Sequence, residues 1–105
     1  VKVEADDVDM VSRLLFMLRM HKAYPITGTV CTGAAARVKG SVVWDVLREE
    51  AKSRDVVRIG HPGGVIPVEV QGRSDGKNTE ITKIGVYRTA RKIMDGLVYI
   101  RKSIL

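Results

Sequence analysis

The chain has 105 residues, of which 45% are hydrophobic, and 18 Lys and Arg against 12 Asp and Glu give it a formal charge of +6. This length and composition predict one globular domain over residues 1–105. There is no run of about eighteen apolar residues and no charged-then-apolar leader, so we expect neither a membrane span nor a signal peptide. Because the chain begins with Val rather than Met, we expect it to be a piece of something longer.

Cysteine and charge limit the classes of partner. A single cysteine, Cys31, excludes an internal disulfide, and two histidines give no metal-ligand cluster of recognisable spacing. Both facts fit a cytoplasmic protein with a reduced thiol. The positive charge suits nucleic acid, an anionic substrate or solubility alone. The basic residues are scattered, and one Phe, one Trp and three Tyr offer little stacking surface, so nucleic acid is disfavoured. A homo-oligomer is left open.

Apolar residues recur at helical spacing in the first twenty positions. They are Val8, Val11, Leu14, Leu15 and Leu18. Three aspartates stand before or near the first of them, and Arg13 and Arg19 follow, an order that suits the helix dipole. We therefore predict a helix over residues 7–20.

Residues 21–37, H-K-A-Y-P-I-T-G-T-V-C-T-G-A-A-A-R, combine glycines and threonines with small residues. Pro25 biases the residue before it away from helix, and Gly28 and Gly33 allow close backbone approach. A helix is predicted to begin near Val30. Its candidate N-caps are Thr27, Thr29 and Thr32. At such a helix start the first N–H groups have no partner within the helix and lie at the positive end of the helix dipole. N–H groups of this kind bind carboxylate or phosphate. An ordinary capped helix with close packing is the alternative.

The rest of the chain predicts one more helix and a sheet. Gly40 ends the small-residue helix, and Ser41 is a candidate cap for a second helical stretch over residues 42–47. From Val56 the apolar period changes to two, which predicts strands. These strands cover residues 56–59, 65–70, 80–87 and 97–100, with a polar turn at 72–78, and the extended stretch that begins at residue 80 is expected to continue towards Met94.

Two local signals, a proline and an Asp-Gly pair, add detail to the predicted sheet. Pro67 within a strand indicates an edge position or a bulge. Asp95-Gly96 is a strong hairpin signal, with residues 97–100 as the returning strand. The order of elements predicts an α+β fold in which a mostly antiparallel sheet curls around the small-residue helix.

Several side chains are candidates for chemistry, each with a structural alternative. His61 lies in G-H-P-G-G and titrates near neutral pH, but a tight turn with an exposed histidine has the same sequence. Cys31 is either a thiolate activated by a helix start or a buried small hydrophobe. His21 and Lys22 either supply positive charge to an acidic ligand or lie in a solvated loop.

Three segments together resemble the C-terminal half of PrpF-type proteins, the 2-methylaconitate cis-trans isomerases. Methylitaconate isomerase and 4-oxalomesaconate tautomerase are relatives of that family. The segments are residues 20–37 given above with the preceding Met, V-R-I-G-H-P-G-G-V-I at 57–66, and V-Y-R-T-A-R-K-I-M-D-G-L-V-Y-I at 86–100. Gly63 stands where many members have serine, which would remove a hydroxyl contact.

The resemblance implies a fold similar to diaminopimelate epimerase, with two domains that each curl a sheet round a central helix. This chain would be the C-terminal domain with half of the active site. Laid without gaps on this sequence, the epimerase pattern places its arginine on Lys22 and its catalytic cysteine on Val30. Cys31 is therefore one residue away, and the resemblance implies no catalytic residue in this chain. The missing N-terminal domain would supply the lysine and cysteine proposed as the acid/base pair.

The implied reaction moves a proton between allylic carbons of an aconitate-like unsaturated tri- or dicarboxylic acid, without PLP, metal or another cofactor. The part assigned to this chain is to bind substrate carboxylates. The residues predicted to do so are Lys22, Thr27, Gly28, Thr29, Cys31, Thr32, Gly33, His61, Pro62, Gly63 and Gly64. The alternatives are an amino-acid epimerase half-domain, which the lack of cysteine at position 30 disfavours, and a small basic nucleic-acid-binding module.

Overall fold

The computed structural model describes residues 2–75 and 77–104. The strands are β1 (Met10–Val11), β2 (Leu15–Phe16), β3 (Arg19–Met20), β4 (Val56–His61), β5 (Gly64–Ser74) and β6 (Thr79–Val86). The main sheet has the order β1-β4-β5-β6, with β1 parallel to β4 and the other neighbours antiparallel. The helices are α1 (Ile26–Ala35), α2 (Val42–Val46) and α3 (Glu49–Lys52). The predicted α+β class with a mostly antiparallel sheet is confirmed.

The N-terminal helix predicted over residues 7–20 is wrong. This region contains β1 and the hairpin of β2 and β3, whose turn places Met17 and Leu18 at φ of 50° and 60°. The helical spacing of the apolar residues was misleading because the acidic residues do not begin an α-helix: Asp6 and Asp7 end a three-residue 3-10 helix, Ala5–Asp7, and the backbone is extended at Val8. Asp9 is fully buried, and its carboxylate accepts hydrogen bonds from Arg54 and Arg58. A tertiary ion pair therefore decides the local conformation here.

Helix α1 begins at Ile26, four residues before the predicted start near Val30. Pro25 is its N-cap residue and provides no side-chain hydrogen bond. The predicted threonine caps are wrong, because all three threonines lie inside the helix. The hydroxyl of Thr29, for example, donates to the carbonyl of Pro25 at 2.9 Å. Extended proline followed directly by helix is sterically favourable, since only the residue before a proline is kept from the helical region.

The small residues of α1 let the helix lie close to the sheet. A Cβ added at Gly33 would stand 3.0 Å from methyl carbons of both Val68 and Val70, which are buried in β5. Glycine is therefore required for this helix–sheet distance. The buried hydrophobic core beneath it consists of Met10, Ala36, Leu47, Ala51, Val57, Ile59, Val68 and Val70.

The second helix has the predicted cap. The backbone N–H of Trp44 donates to the hydroxyl oxygen of Ser41 at 3.1 Å, and that hydroxyl donates to the carbonyl of Ala35 at 2.8 Å. The predicted end of the preceding helix at Gly40 is wrong, because α1 ends at Ala35 with Ala36 as its C-cap residue, and Gly40, with a φ of +85°, lies in the turn before Ser41. The signal for the cap was sufficient because both partners of Ser41 lie within six residues of it in the chain.

The predicted strands from 56 to 87 are confirmed, with small changes of boundary. Pro67 pairs with Arg58 of β4, whereas pairing with β6 begins only at Val68. Strand β5 is an interior strand of the sheet, but Pro67 lies in a part of it that pairs on one side only, so the predicted edge position holds only locally. Strand β5 continues to Ser74, so the following turn is shorter than predicted, and the carboxylate of Asp75 accepts backbone N–H groups within it.

The predicted continuation of the extended stretch towards Met94, the hairpin at Asp95-Gly96 and the strand over 97–100 are wrong, because β6 ends at Val86. Residues 87–101 have no regular secondary structure and are exposed, and Leu97 and Tyr99 are 86% and 92% accessible. A strand needs a neighbour for its backbone hydrogen bonds, and none lies beside this segment within the described residues. The radius of gyration is consequently 18.2 Å, against about 13 Å for a compact chain of this length.

Among residues 2–75 and 77–104, no helix is long and apolar enough to cross a membrane.

Candidate functional site

The two segments singled out from the sequence, residues 21–37 and 60–64, lie side by side. A Cβ added at Gly63 would be 3.4 Å from the Cβ of Ala23. The ring of Tyr24 lies 6.4 Å from the ring of His61, centroid to centroid, with an angle of 35° between the planes. The fold therefore brings the turn between β4 and β5 against the loop that enters α1.

Tyr24 joins three parts of this region. Its ring is buried, and its hydroxyl oxygen lies 2.9 Å from the hydroxyls of both Ser12, which follows β1, and Thr32 on α1. A buried tyrosine requires such partners for its hydroxyl. The sequence pattern did not single out Tyr24 as a site residue. The only local signal was an aromatic residue immediately before Pro25.

Both histidines make the same local hydrogen bond. The Nδ1 of His21 accepts the backbone N–H of Ala23 at 3.0 Å, and the Nδ1 of His61 accepts that of Gly63 at 3.1 Å. A ring nitrogen that accepts a hydrogen bond carries no proton, so each neutral imidazole has its proton on Nε2. Burial lowers the pKa of His61, and the nearby positive charge of Arg13 lowers it further. The fold therefore favours the neutral form of the His61 ring.

A cavity of about 460 Å³ opens where the β2–β3 hairpin meets the start of α1. It is lined by Leu14, Phe16, His21, Pro25, Thr27 and Gly28. One wall is apolar, whereas the floor is the first turn of α1. The first intrahelical bond runs from the N–H of Thr29 to the carbonyl of Pro25. The N–H groups of residues 26–28 therefore have no acceptor within the helix.

Proline at the N-cap makes this helix start unusual. Serine, threonine or aspartate at that position would occupy an N–H group of the first turn, but Pro25 has no side-chain acceptor. The dipole of the ten-residue helix places partial positive charge at the same end. An anion in the cavity would therefore meet free donors without a charged side chain.

A second cavity of about 300 Å³ lies against the turn between β4 and β5. Arg13, His61 and Gly64 contribute to its lining, but so does Glu4. Its charge is therefore mixed, and it is less suited to a carboxylate than the cavity at α1. Among the described residues, no group of three His, Cys, Asp or Glu side chains is arranged to hold a metal ion.

The residues predicted on α1 separate into different environments. Thr27 and Gly28 line the larger cavity, whereas Thr29 and Gly33 are buried against the sheet. Thr32 is half-buried and bonded to Tyr24. Unpaired N–H groups were predicted at a helix start near Val30, but the N–H groups from Thr29 onwards bond within the helix and only those of residues 26–28 stay unpaired.

The other predicted residues lie around the helix start. Lys22 is exposed beside His21, and Cys31 is exposed on α1. Pro62 is half-buried and Gly63 exposed in the turn that His61 and Gly64 flank. The apolar wall formed by Leu14 and Phe16 was missed, because both had been assigned to the core of a helix that does not exist.

Comparison with known proteins identifies similar chains. The family described as PrpF protein matches residues 1–101. The chain is 52% identical over 101 residues to the 3-methylitaconate isomerase of Eubacterium barkeri, covering 96% of this chain and 25% of that protein. It is 34% identical over 100 residues to the 2-methyl-aconitate isomerase of Shewanella oneidensis, covering 95% and 25%.

A solved structure is similar as well. The crystal structure of methylitaconate-delta-isomerase superposes with a TM-score of 0.78 at 50% identity, covering 96% of this chain and 25% of that one. The chain thus spans about a quarter of the length of the curated relatives it matches.

Proposed function

The chain belongs to the PrpF protein family, and from this premise we propose that it is the substrate-carboxylate-binding part of an isomerase of unsaturated di- or tricarboxylic acids. Relatives named as 3-methylitaconate and 2-methyl-aconitate isomerases support this class of substrate. Because the chain spans about a quarter of its relatives' length, it is proposed to be part of the C-terminal, diaminopimelate epimerase-like domain of a two-domain protein. Its N-terminal domain would complete the active site.

The observation that carries the proposal is the mixed character of the 460 Å³ cavity. A methyl-substituted unsaturated acid has charged carboxylates and an apolar hydrocarbon part. In this cavity the N–H groups of Thr27 and Gly28 suit a carboxylate, and the side chains of Leu14 and Phe16 suit the hydrocarbon. A patch of basic side chains alone would bind the carboxylates but would offer no apolar surface to the hydrocarbon part.

The same donors would assist the reaction. Removing a proton from an allylic carbon leaves negative charge that spreads onto the adjoining carboxylate. N–H groups that are already fixed in position stabilise such charge without reorganisation. Proton transfer itself needs an acid and a base within about 3 Å of the reacting carbons. We assign those groups to the N-terminal domain and no catalytic residue to this chain.

The direct test is turnover by the full-length protein. We expect it to isomerise 3-methylitaconate or 2-methylaconitate, followed by proton NMR of the acid. The 105-residue chain alone should show no turnover, because its part of the cleft lacks the acid and base. Full activity of the isolated chain would refute the half-site proposal, and a full-length protein that neither binds nor converts either acid would refute the assigned function.

A substitution at Gly28 tests which cavity binds the acid. A Cβ at this position would lie 2.6 Å from Cδ1 of Leu14 and 3.1 Å from Cγ of Pro25. Gly28→Ala would therefore push the Leu14 side chain into the cavity. We expect KM in the full-length enzyme to rise about tenfold, the effect of roughly 1.4 kcal/mol in binding, with little change in kcat.

Gly96→Ala is the matched control, because a Cβ at Gly96 meets nothing within 4 Å. It should leave KM unchanged. Equal KM values for Gly28→Ala and the unmodified enzyme would exclude the cavity at the start of α1 as the carboxylate site.

A further inference from the structure

His21 is held from both sides at the edge of the larger cavity. Its backbone N–H donates to the carbonyl of Leu14 at 2.8 Å, which ties it to the β2–β3 hairpin. Its ring accepts the N–H of Ala23 at Nδ1. Because the main chain and the ring are both anchored, the far side of the imidazole has a defined position before any ligand arrives.

The anchored ring leaves one donor available. With Nδ1 occupied as an acceptor, the neutral imidazole carries its proton on Nε2. No group among the described residues accepts from that Nε2–H. The ring is half-buried and lines the same cavity as Thr27 and Gly28. It therefore offers a side-chain donor beside the backbone donors of the helix.

We infer that His21 is a substrate-binding residue that donates its Nε2–H to a carboxylate oxygen of the unsaturated acid. This inference rests on the function proposed above and adds a side-chain donor to it. His21 neither takes nor gives a proton in the reaction. It holds the carboxylate on which negative charge grows, and the hydrogen bond strengthens as that charge develops.

Two substitutions separate this role from that of a loop anchor. The side-chain oxygen of His21→Asn can accept the N–H of Ala23, as asparagine commonly does two residues along, but its amide falls short of the Nε2 position. The amide of His21→Gln places an N–H donor at the Nε2 position, but this variant has no acceptor at the Nδ1 position for the N–H of Ala23. A binding role therefore predicts that Gln retains activity, and an anchoring role predicts that Asn does.

We expect His21→Asn to lower kcat/KM of the full-length enzyme for 3-methylitaconate about thirtyfold, a loss within the range for a hydrogen bond to a charged group. His21→Gln should remain within about threefold of the unmodified enzyme. The reverse order would overturn the inference, as would two variants that are equally active or equally impaired.

Nitrogen NMR of the histidine side chains in the unmodified full-length protein gives an independent readout if a variant fails to fold. We expect His21 to show a protonated Nε2 and an unprotonated Nδ1, and its Nε2–H signal to move when 3-methylitaconate is added. The opposite tautomer, or no movement at saturation, would overturn the inference about His21 alone. If the unmodified protein binds and converts neither this acid nor 2-methylaconitate, the proposed function fails and this inference fails with it.

Discussion

Replacing Arg37 with Met is expected to lower the free energy of unfolding of the chain by about 3–4 kcal/mol. The guanidinium group is buried just after α1, and it donates to four backbone carbonyls. Nε donates to Val70, one terminal nitrogen donates to Ala51 at 3.0 Å and to Lys52 at 3.4 Å, and the other donates to Arg54. Methionine would leave these carbonyls without donors, and each carbonyl that then stays buried and unpaired costs about 1–3 kcal/mol of the free energy of unfolding.

The free energy of unfolding of Arg37→Lys should fall between that of the unmodified chain and that of Arg37→Met, because an ammonium group cannot reach the four carbonyls that the planar guanidinium group reaches. Arg48→Met is the control, since Arg48 is exposed and its ion pairs with Asp6 and Glu50 have N–O distances of 3.6 Å. Its loss should cost less than 1 kcal/mol. Urea denaturation of the three variants measures the differences, and an Arg37→Met variant as stable as Arg48→Met would show that Arg37 does not hold these elements together.

Replacing Asp9 with Asn is expected to lower the free energy of unfolding by about 3 kcal/mol, as for a buried ion pair broken on one side. One carboxylate oxygen accepts from Arg54 at 2.6 Å and from Arg58 at 2.9 Å. The other accepts the backbone N–H of Arg58 at 2.8 Å. Asparagine has no second oxygen, and its NH₂ group would face one of these donors. The exposed Asp6, paired with Arg48, provides the control Asp6→Asn, with an expected change below about 0.5 kcal/mol.

The same carboxylate gives the chain an acid-sensitive component of stability. Burial alone would raise the pKa of Asp9, but hydrogen bonds from the side chain and backbone of Arg58 and from Arg54 outweigh it and leave the pKa lowered. Because the pKa is lower in the folded state, this stabilisation is present above the unfolded pKa of about 3.9 and is lost as pH falls through the folded value. Stability measured from pH 6 down to pH 2 should fall less steeply for Asp9→Asn, and parallel curves would contradict this assignment.

Local signals were reliable wherever both partners of an interaction lie close together in the sequence. The cap at Ser41 is of this kind. So is the tight turn at His61, whose flanking strands pair with each other directly. Motifs that span the chain also carried enough information to identify the family, because they record positions that a shared fold requires.

Predictions failed where the deciding partner is far away in the sequence. The apolar residues before His21 have helical spacing, yet Asp9 is held by Arg58 across 49 positions and the segment is extended. Residues 97–100 have the composition of a strand, but no neighbouring strand lies beside them among the described residues. Backbone groups take regular structure only where hydrogen-bond partners are available, and sequence periodicity does not reveal whether they are.

The sequence by itself determined the fold class, the family and the two segments around which the candidate site is built. Tertiary structure decided how those segments act: Pro25 and not threonine precedes the helix, and only residues 26–28 keep free N–H groups. It also placed Leu14, Phe16 and His21 beside that helix start, where they line one cavity. The physical reason is that a cavity exists only between elements, since its walls come from contacts that no single stretch of sequence contains.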